Sequence, residues 1–184
     1  MSTITKKITA EEFAEMPETG FPCELVRGEI VEMTPPKPRH GQICAKIVFQ
    51  GLRYNEDHDC MHVLANDTGV ITERNPDTVR GPDVWFISYR KVPKGPLAYD
   101  TYLDIVPDIV FEVISPTDRW DDISSKVNEF LALGVPAVCV LEPQLSTGQR
   151  FGQDKSSRIF SADEELTFPE ILPEFSVPVH RFFA

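Results

Sequence analysis

The sequence predicts an α/β fold, a mixed central sheet flanked by helices with an N-terminal β-hairpin. Three observations predict it. PDIVFEVISP at 107–116 reads as a buried strand, DRWDDISSKVNEFLALG at 118–134 as an amphipathic helix, and AVCVLEP at 137–143 as a second buried strand. That order makes a crossover unit, right-handed if its strands are parallel. CELV and EIVEM flank Arg27-Gly28, a hairpin pattern, and GPDVWFI at 81–87 supplies another strand; the central sheet is expected to hold this Glu24 hairpin, the Asp83 strand, the Glu112 strand and the 137–142 strand. With 184 residues, 41% of them hydrophobic, and no Pro/Gly/Ser linker, residues 1–184 are expected to form a single domain with its own core.

Taken in order, Thr9-Ala10-Glu11-Glu12 reads as a capping box that opens a short helix through Phe13 and Met16, ending before Pro17. In the hairpin, Glu24 and Val26 share a face, and on the residues alone Glu24 is an exposed strand acid paired with a neighbour. TPPKPRHG is too proline-rich for regular structure. A helix follows from about Arg39 to Asn55, with Ile43, Ile47 and Tyr54 in one apolar sector. Arg39, Lys46 and Arg53 recur at intervals of seven with Gln42 and Gln50 beside them. That stripe is either a phosphate-contacting face or simply a solvated one. His40, near the helix start, either sits beside the site or makes a capping or core hydrogen bond, the commoner use of a lone histidine there.

HVLA and TGVITE read as two strands, and Asn75-Pro76-Asp77 as a turn before the Asp83 strand. The long segment SYRKVPKGPLAYDTYLDIVP has no clear period. It interleaves Arg90, Lys91 and Lys94 with Tyr89, Tyr99 and Tyr102, which suits phosphates and unstacked bases but equally a plain loop. In the 109–114 strand Val110, Glu112 and Ile114 take one face and Ile109, Phe111 and Val113 the other. Glu112 therefore interrupts an apolar strand, which is costly unless the carboxylate is paired or holds a metal. Asp108 shares its face but sits roughly 13 Å away along the strand, too far to share one ion easily. It reads as a strand-start residue or an outer partner.

In the following helix Asp118, Asp121 and Asp122 are first-turn acids favoured by the helix dipole. Ile123, Val127, Phe130 and Leu131 form its buried stripe, with Lys126 on the shoulder. Asp83, Glu112 and Lys126 thus fit a divalent cation held by carboxylates with an ammonium positioning a water. They also fit a surface Asp and an ordinary Glu–Lys ion pair. Gly148 and Gly152 punctuate an edge hairpin, and Phe175, Val177, Val179, Phe182 and Phe183 cover the core or form a subunit contact.

A formal net charge of −11, from 29 acidic and 18 basic residues, opposes sequence-independent attraction to polyphosphate unless a local basic patch or divalent cations offset it. Cys23, Cys44, Cys60 and Cys139 lack C-x-x-C spacing, so neither a zinc ribbon nor a redox motif is supported, and buried free thiols are expected. MSTITKKITAEEF has no apolar signal core and no stretch approaches a membrane span, so a soluble cytoplasmic protein is expected. No Walker, dinucleotide or G-x-S-x-G motif occurs.

The chain resembles the PD-(D/E)XK nuclease superfamily, and within it the Uma-two family of restriction-endonuclease-like proteins. The likeness rests on ELVRGEIVEM, HG at His40, Pro82-Asp83, PDIVFEVISP, the Lys126 helix ending in LALGV, and LTFPEILPEFSVPV. It implies a restriction-endonuclease-like fold and a Mg²⁺ (or Mn²⁺) dependent endonuclease acting on nucleic acid, DNA in the first instance. By the same resemblance Asp83 and Glu112 hold the metal, with the Val113 carbonyl a further ligand. Lys126 is the displaced lysine, 14 residues after Glu112, because the position where the pattern expects Lys is Ile114. Glu24 becomes an outer ligand or second acid. A homodimer is expected, since double-strand cleavage commonly uses two sites and the apolar C-terminal run offers an interface. Two other readings stand beside this one: a catalytically silent binding module on the nuclease fold, and a metal-dependent hydrolase of a small phosphoester.

Overall fold

The computed structural model describes residues 7–17 and 20–184. The first six of the thirteen residues read as lacking a signal core lie outside them. Thr9 caps the first helix, α1 (Ala10–Ala14), as its sequence predicts: its hydroxyl accepts from the Glu12 amide at 3.1 Å while the Glu12 carboxylate accepts from the Thr9 amide at 3.0 Å. Next come β1 (Cys23–Val26) and β2 (Glu29–Glu32), antiparallel and joined by Arg27 and Gly28. Both of these residues have positive φ, the conformation a two-residue hairpin turn needs.

Helix α2 (Pro38–His58) starts with proline at its first turn, where the missing amide costs nothing, and runs further at both ends than its apolar period indicated. After it come β3 (Met61–Ala65), β4 (Val70–Glu73), β5 (Thr78–Arg80), β6 (Val84–Ser88) and β7 (Ile109–Val113). Helix α3 (Trp120–Leu133) follows, ended by Gly134 in the left-handed region. The chain closes with β8 (Ala137–Glu142), β9 (Thr147–Gly152), β10 (Ser157–Phe160), β11 (Glu165–Phe168), β12 (Leu172–Pro178) and α4 (His180–Phe183).

Among the described residues the central sheet has six strands in the order β10-β9-β8-β7-β6-β3. It is mixed, as expected: β7 and β8 pair in parallel through the α3 crossover, and the other neighbours are antiparallel. The predicted alternation along β7 holds. Ile109, Phe111 and Val113 enter the cluster under α2, and Val110 enters the one under α3. Gly51 lets α2 touch the sheet, because a Cβ there would sit 2.7 Å from the Phe86 ring.

Three expectations need correction. The Glu24 hairpin is not part of the central sheet but belongs to a separate four-stranded sheet, β2-β1-β5-β4. Its partner β5 has three residues, too few to show a period. The C-terminal apolar run covers the core, the first of its two expected roles, and so does not offer the apolar interface expected for a homodimer: Phe175, Val177, Val179, Phe182 and Phe183 are all buried beneath α2. Of the four free thiols only Cys139 is fully buried. No helix among the described residues is long and apolar enough to cross a membrane.

Candidate functional site

The link from β5 to β6, Gly81-Pro82-Asp83, follows Arg80 and carries the chain from the small sheet to the large one. A cleft of about 500 Å³ opens beside it, lined by Glu24, His40, Asp67, Asp83, Glu112 and Lys126 among others. Asp83 sits just before β6, antiparallel to β7, and so falls beside the carboxyl end of β7. Its Oδ2 accepts the Val113 amide hydrogen at 2.6 Å and lies 3.2 Å from His40 Nε2. The ring's other nitrogen, Nδ1, is 3.5 Å from Cys44 Sγ. The hydrogen bond to Asp83, supported by the contact with Cys44, pushes the His40 pKa up to about 11. Burial pushes the Cys44 thiol up.

Glu112 projects toward α3 from a strand whose five residues are all buried. It is only 4% exposed, and its Oε1 has no hydrogen-bond partner. Burial, and then the carboxylates of Asp83, Glu24 and Asp67, raise its pKa to about 8 against the pull of Lys126. Lys126 stands on the shoulder of the α3 stripe formed by Ile123, Val127 and Phe130, and its ammonium donates to Glu24 Oε1 at 3.0 Å. Burial disfavours that charge, but Glu112 and Glu24 outweigh it and hold the lysine pKa above its ordinary value.

Glu24 is buried, not an exposed strand acid. Its Oε1 also accepts the Gly81 amide at 3.2 Å, and its Oε2 accepts from Arg80 at 2.8 Å. Burial would lift the Glu24 pKa, yet Lys126 and Arg80 together pull it below the usual value. Arg80 in turn grips Glu129 of α3 at 2.7 Å, and Thr72 donates to the same carboxylate. A chain of charges therefore ties the small sheet to α3 and fixes where the Lys126 ammonium points.

Asp83, Glu112, Val113, Lys126 and Glu24 thus converge. The predicted basic residues do not join them. Arg39 bonds Gln42 at 2.7 Å and the Phe183 carbonyl at 2.5 Å, while Lys46 and Arg53 lie further along α2. Arg90, Lys91 and Lys94 follow the far end of β6, roughly 16 Å of strand from Asp83. Lys91 pairs with Asp108 at 2.8 Å and Lys94 with Asp59 at 2.6 Å. Asp108 also accepts the Ser88 amide at 2.6 Å, which makes it a strand-start residue at that far end. Asp118 precedes α3 and accepts the Ser115 amide at 2.7 Å in a turn, so it is not a first-turn acid.

Sequence reasoning missed Arg80, Asp67 and Cys44. Arg80 and Asp67 reach the cleft through pairings between distant strands, which no local pattern announces. Cys44 had a readable signal, its position four residues after His40 on one helix.

A family model described as "Putative restriction endonuclease", Uma2, matches residues 10–180. The chain belongs to the Uma2 family. The crystal structure of a protein from Anabaena variabilis ATCC 29413, titled a putative nuclease, superposes with a TM-score of 0.82 at 19% identity, over 96% of this chain and 97% of that one. At that identity the likeness establishes the shared fold. Comparison with curated proteins gave no match. The residues that line the cleft, from Pro22 just before β1 to Lys126 on α3, all fall inside the span that the family model matches.

Proposed function

We propose that this Uma2 chain is a divalent-metal-dependent endonuclease that hydrolyses phosphodiester bonds in DNA. The observation that carries the proposal is the buried Glu112 oxygen with no partner, facing a cleft beside a second carboxylate pinned at the end of the same strand pair. A buried polar atom without a partner is rare and calls for a ligand. The donor set is hard oxygen, the kind Mg²⁺ and Mn²⁺ take. Asp83, Glu112 and the Val113 carbonyl would hold the ion. When bound, such a cation polarises a phosphoryl oxygen and lowers the pKa of a water.

The chain's own residues do the rest. His40 and the Val113 amide fix the Asp83 carboxylate in one orientation. Lys126, charged at any working pH and held by Glu24, orients the water and offsets charge that develops on the phosphate. Glu24, with both oxygens engaged, acts by positioning Lys126 and Arg80. The family description and the shared fold support the nuclease reading. The net charge of −11 favours a second reading, a silent module that binds without cutting.

Calorimetric titration with Mn²⁺, followed by incubation with plasmid DNA, separates the two readings. Wild type should bind one equivalent or more and cut. Asp83→Ala and Glu112→Gln should lose both properties, and Lys126→Met should lose cutting while retaining the metal. Wild type that binds Mn²⁺ and DNA but never cuts would establish the silent module.

A further inference from the structure

We propose that His40, Cys44 and Asp83 form a second cation site, selective for a thiophilic divalent ion such as Zn²⁺, which shares Asp83 with the carboxylate site. The inference is independent of any nuclease activity. It begins with spacing: residues four apart on a helix present their side chains on one face. His40 and Cys44 occupy the first turns of α2, a helix held against the sheet by Ile43 and Ile47. Asp83 meets them from the β5–β6 link.

One donor atom from each of the three lies within 4.8 Å of the others. Tetrahedral zinc with bonds of about 2.0–2.3 Å needs its ligands roughly 3.4–3.7 Å apart. The 3.5 Å contact to Cys44 is made by Nδ1 and the 3.2 Å contact to Asp83 by Nε2, so one of them already has that spacing for a given nitrogen, and the remaining donor distances, up to 4.8 Å, close by small side-chain rotations. Only one ring nitrogen can face an ion, so the imidazole gives up one of these contacts and the ion replaces it. The thiol binds as thiolate and the imidazolium loses the proton on the nitrogen that faces the ion, so two protons pass to solvent as the cation takes their place. No oxidant or further reactant enters.

The ligand set decides which ion. Imidazole, thiolate and one carboxylate match a borderline ion such as Zn²⁺, whereas Mg²⁺ gains nothing from sulfur. The side chains of His40 and Asp83 are 12% and 11% exposed, so three protein ligands would enclose the ion from one side. A fourth position remains toward the cleft. An ion held there draws Asp83 toward α2 and competes with Mn²⁺ for the same carboxylate.

Cobalt reports on this directly, because a thiolate ligand gives Co²⁺ a charge-transfer band in the near ultraviolet. Reduced, metal-stripped full-length protein titrated with Co²⁺ should develop that band at one equivalent, and Zn²⁺ should bleach it stoichiometrically. Cys44→Ser should abolish the band, and Cys60→Ser, which alters a thiol at the far end of the sheet, should keep it. His40→Ala, with its fold checked by circular dichroism, should weaken Zn²⁺ binding by at least roughly 10-fold, the low end of what even an outer partner of a metal ligand costs. Absence of the band in wild type, or its survival in Cys44→Ser, would overturn the proposal. Mn²⁺ binding retained in Cys44→Ser would show the carboxylate site to be separate. A cobalt band without any Mn²⁺ binding would leave this site standing and remove the nuclease reading.

Discussion

Glu112 is a carboxyl group in a place built for a methyl, and its protonation follows from that. Its pKa rises from the ordinary 4.5 to about 8. A raised pKa means that the folded protein binds the proton more tightly than the unfolded chain does. The associated stability is complete below about pH 4.5 and is lost as pH climbs toward 8. Metal-free wild type should therefore lose thermal stability between pH 5 and 8, and Glu112→Gln should largely remove this loss. A wild-type melting temperature that is flat or rising with pH relative to Glu112→Gln would refute the assignment. The exceptional character of Glu112 was legible in the sequence, because a lone acid in PDIVFEVISP breaks the strand's apolar run. The partners of Glu24 were not. Arg80 and Lys126 reach it across 56 and 102 residues of sequence, beyond the range of any periodicity.

At the scale of elements, the strong periods gave the β7–α3–β8 unit, α2 and the β1–β2 hairpin close to where they lie. What they could not give was sheet membership. The hairpin sides with β4 and β5 because Leu25, Ile71 and Val79 bury one another in a small core with Phe13, a choice made by non-local packing. Arg80 then joins this sheet to α3 by bonding Glu24 and Glu129, with side chains 13%, 6% and 21% exposed. Removing one member of so enclosed a network leaves charges unpaired and costs about 3–5 kcal/mol. Arg80→Ala should show that loss in urea unfolding, and a change under about 1 kcal/mol, the range of surface pairs, would mean the network is solvated.

The molecule as a whole is acidic, and its cleft holds more carboxylates than cations. On the proposed reading, Coulomb repulsion makes divalent ions a condition of DNA binding as well as of chemistry. Without divalent ions, fluorescence-monitored binding of an oligonucleotide should be undetectable. With Ca²⁺ it should appear, and Asp83→Ala should abolish it. Equal binding in a chelator would place the DNA on the α2 stripe of Arg39, Lys46 and Arg53 instead. In that event each charge removed should lower the salt slope by about 1.

The link between the two sheets bears on motion. Asp83 closes a short strap whose other end is β5, whereas Glu112 belongs to the rigid middle of the large sheet. An ion gripping both would act as a rivet between two plates, stitching the small sheet to its larger neighbour. Amide exchange in β1, β4 and β5 should slow when Mn²⁺ is added, although the proposed ligands lie outside these strands. Protection confined to β7 and the strap would show that the plates are already locked without it.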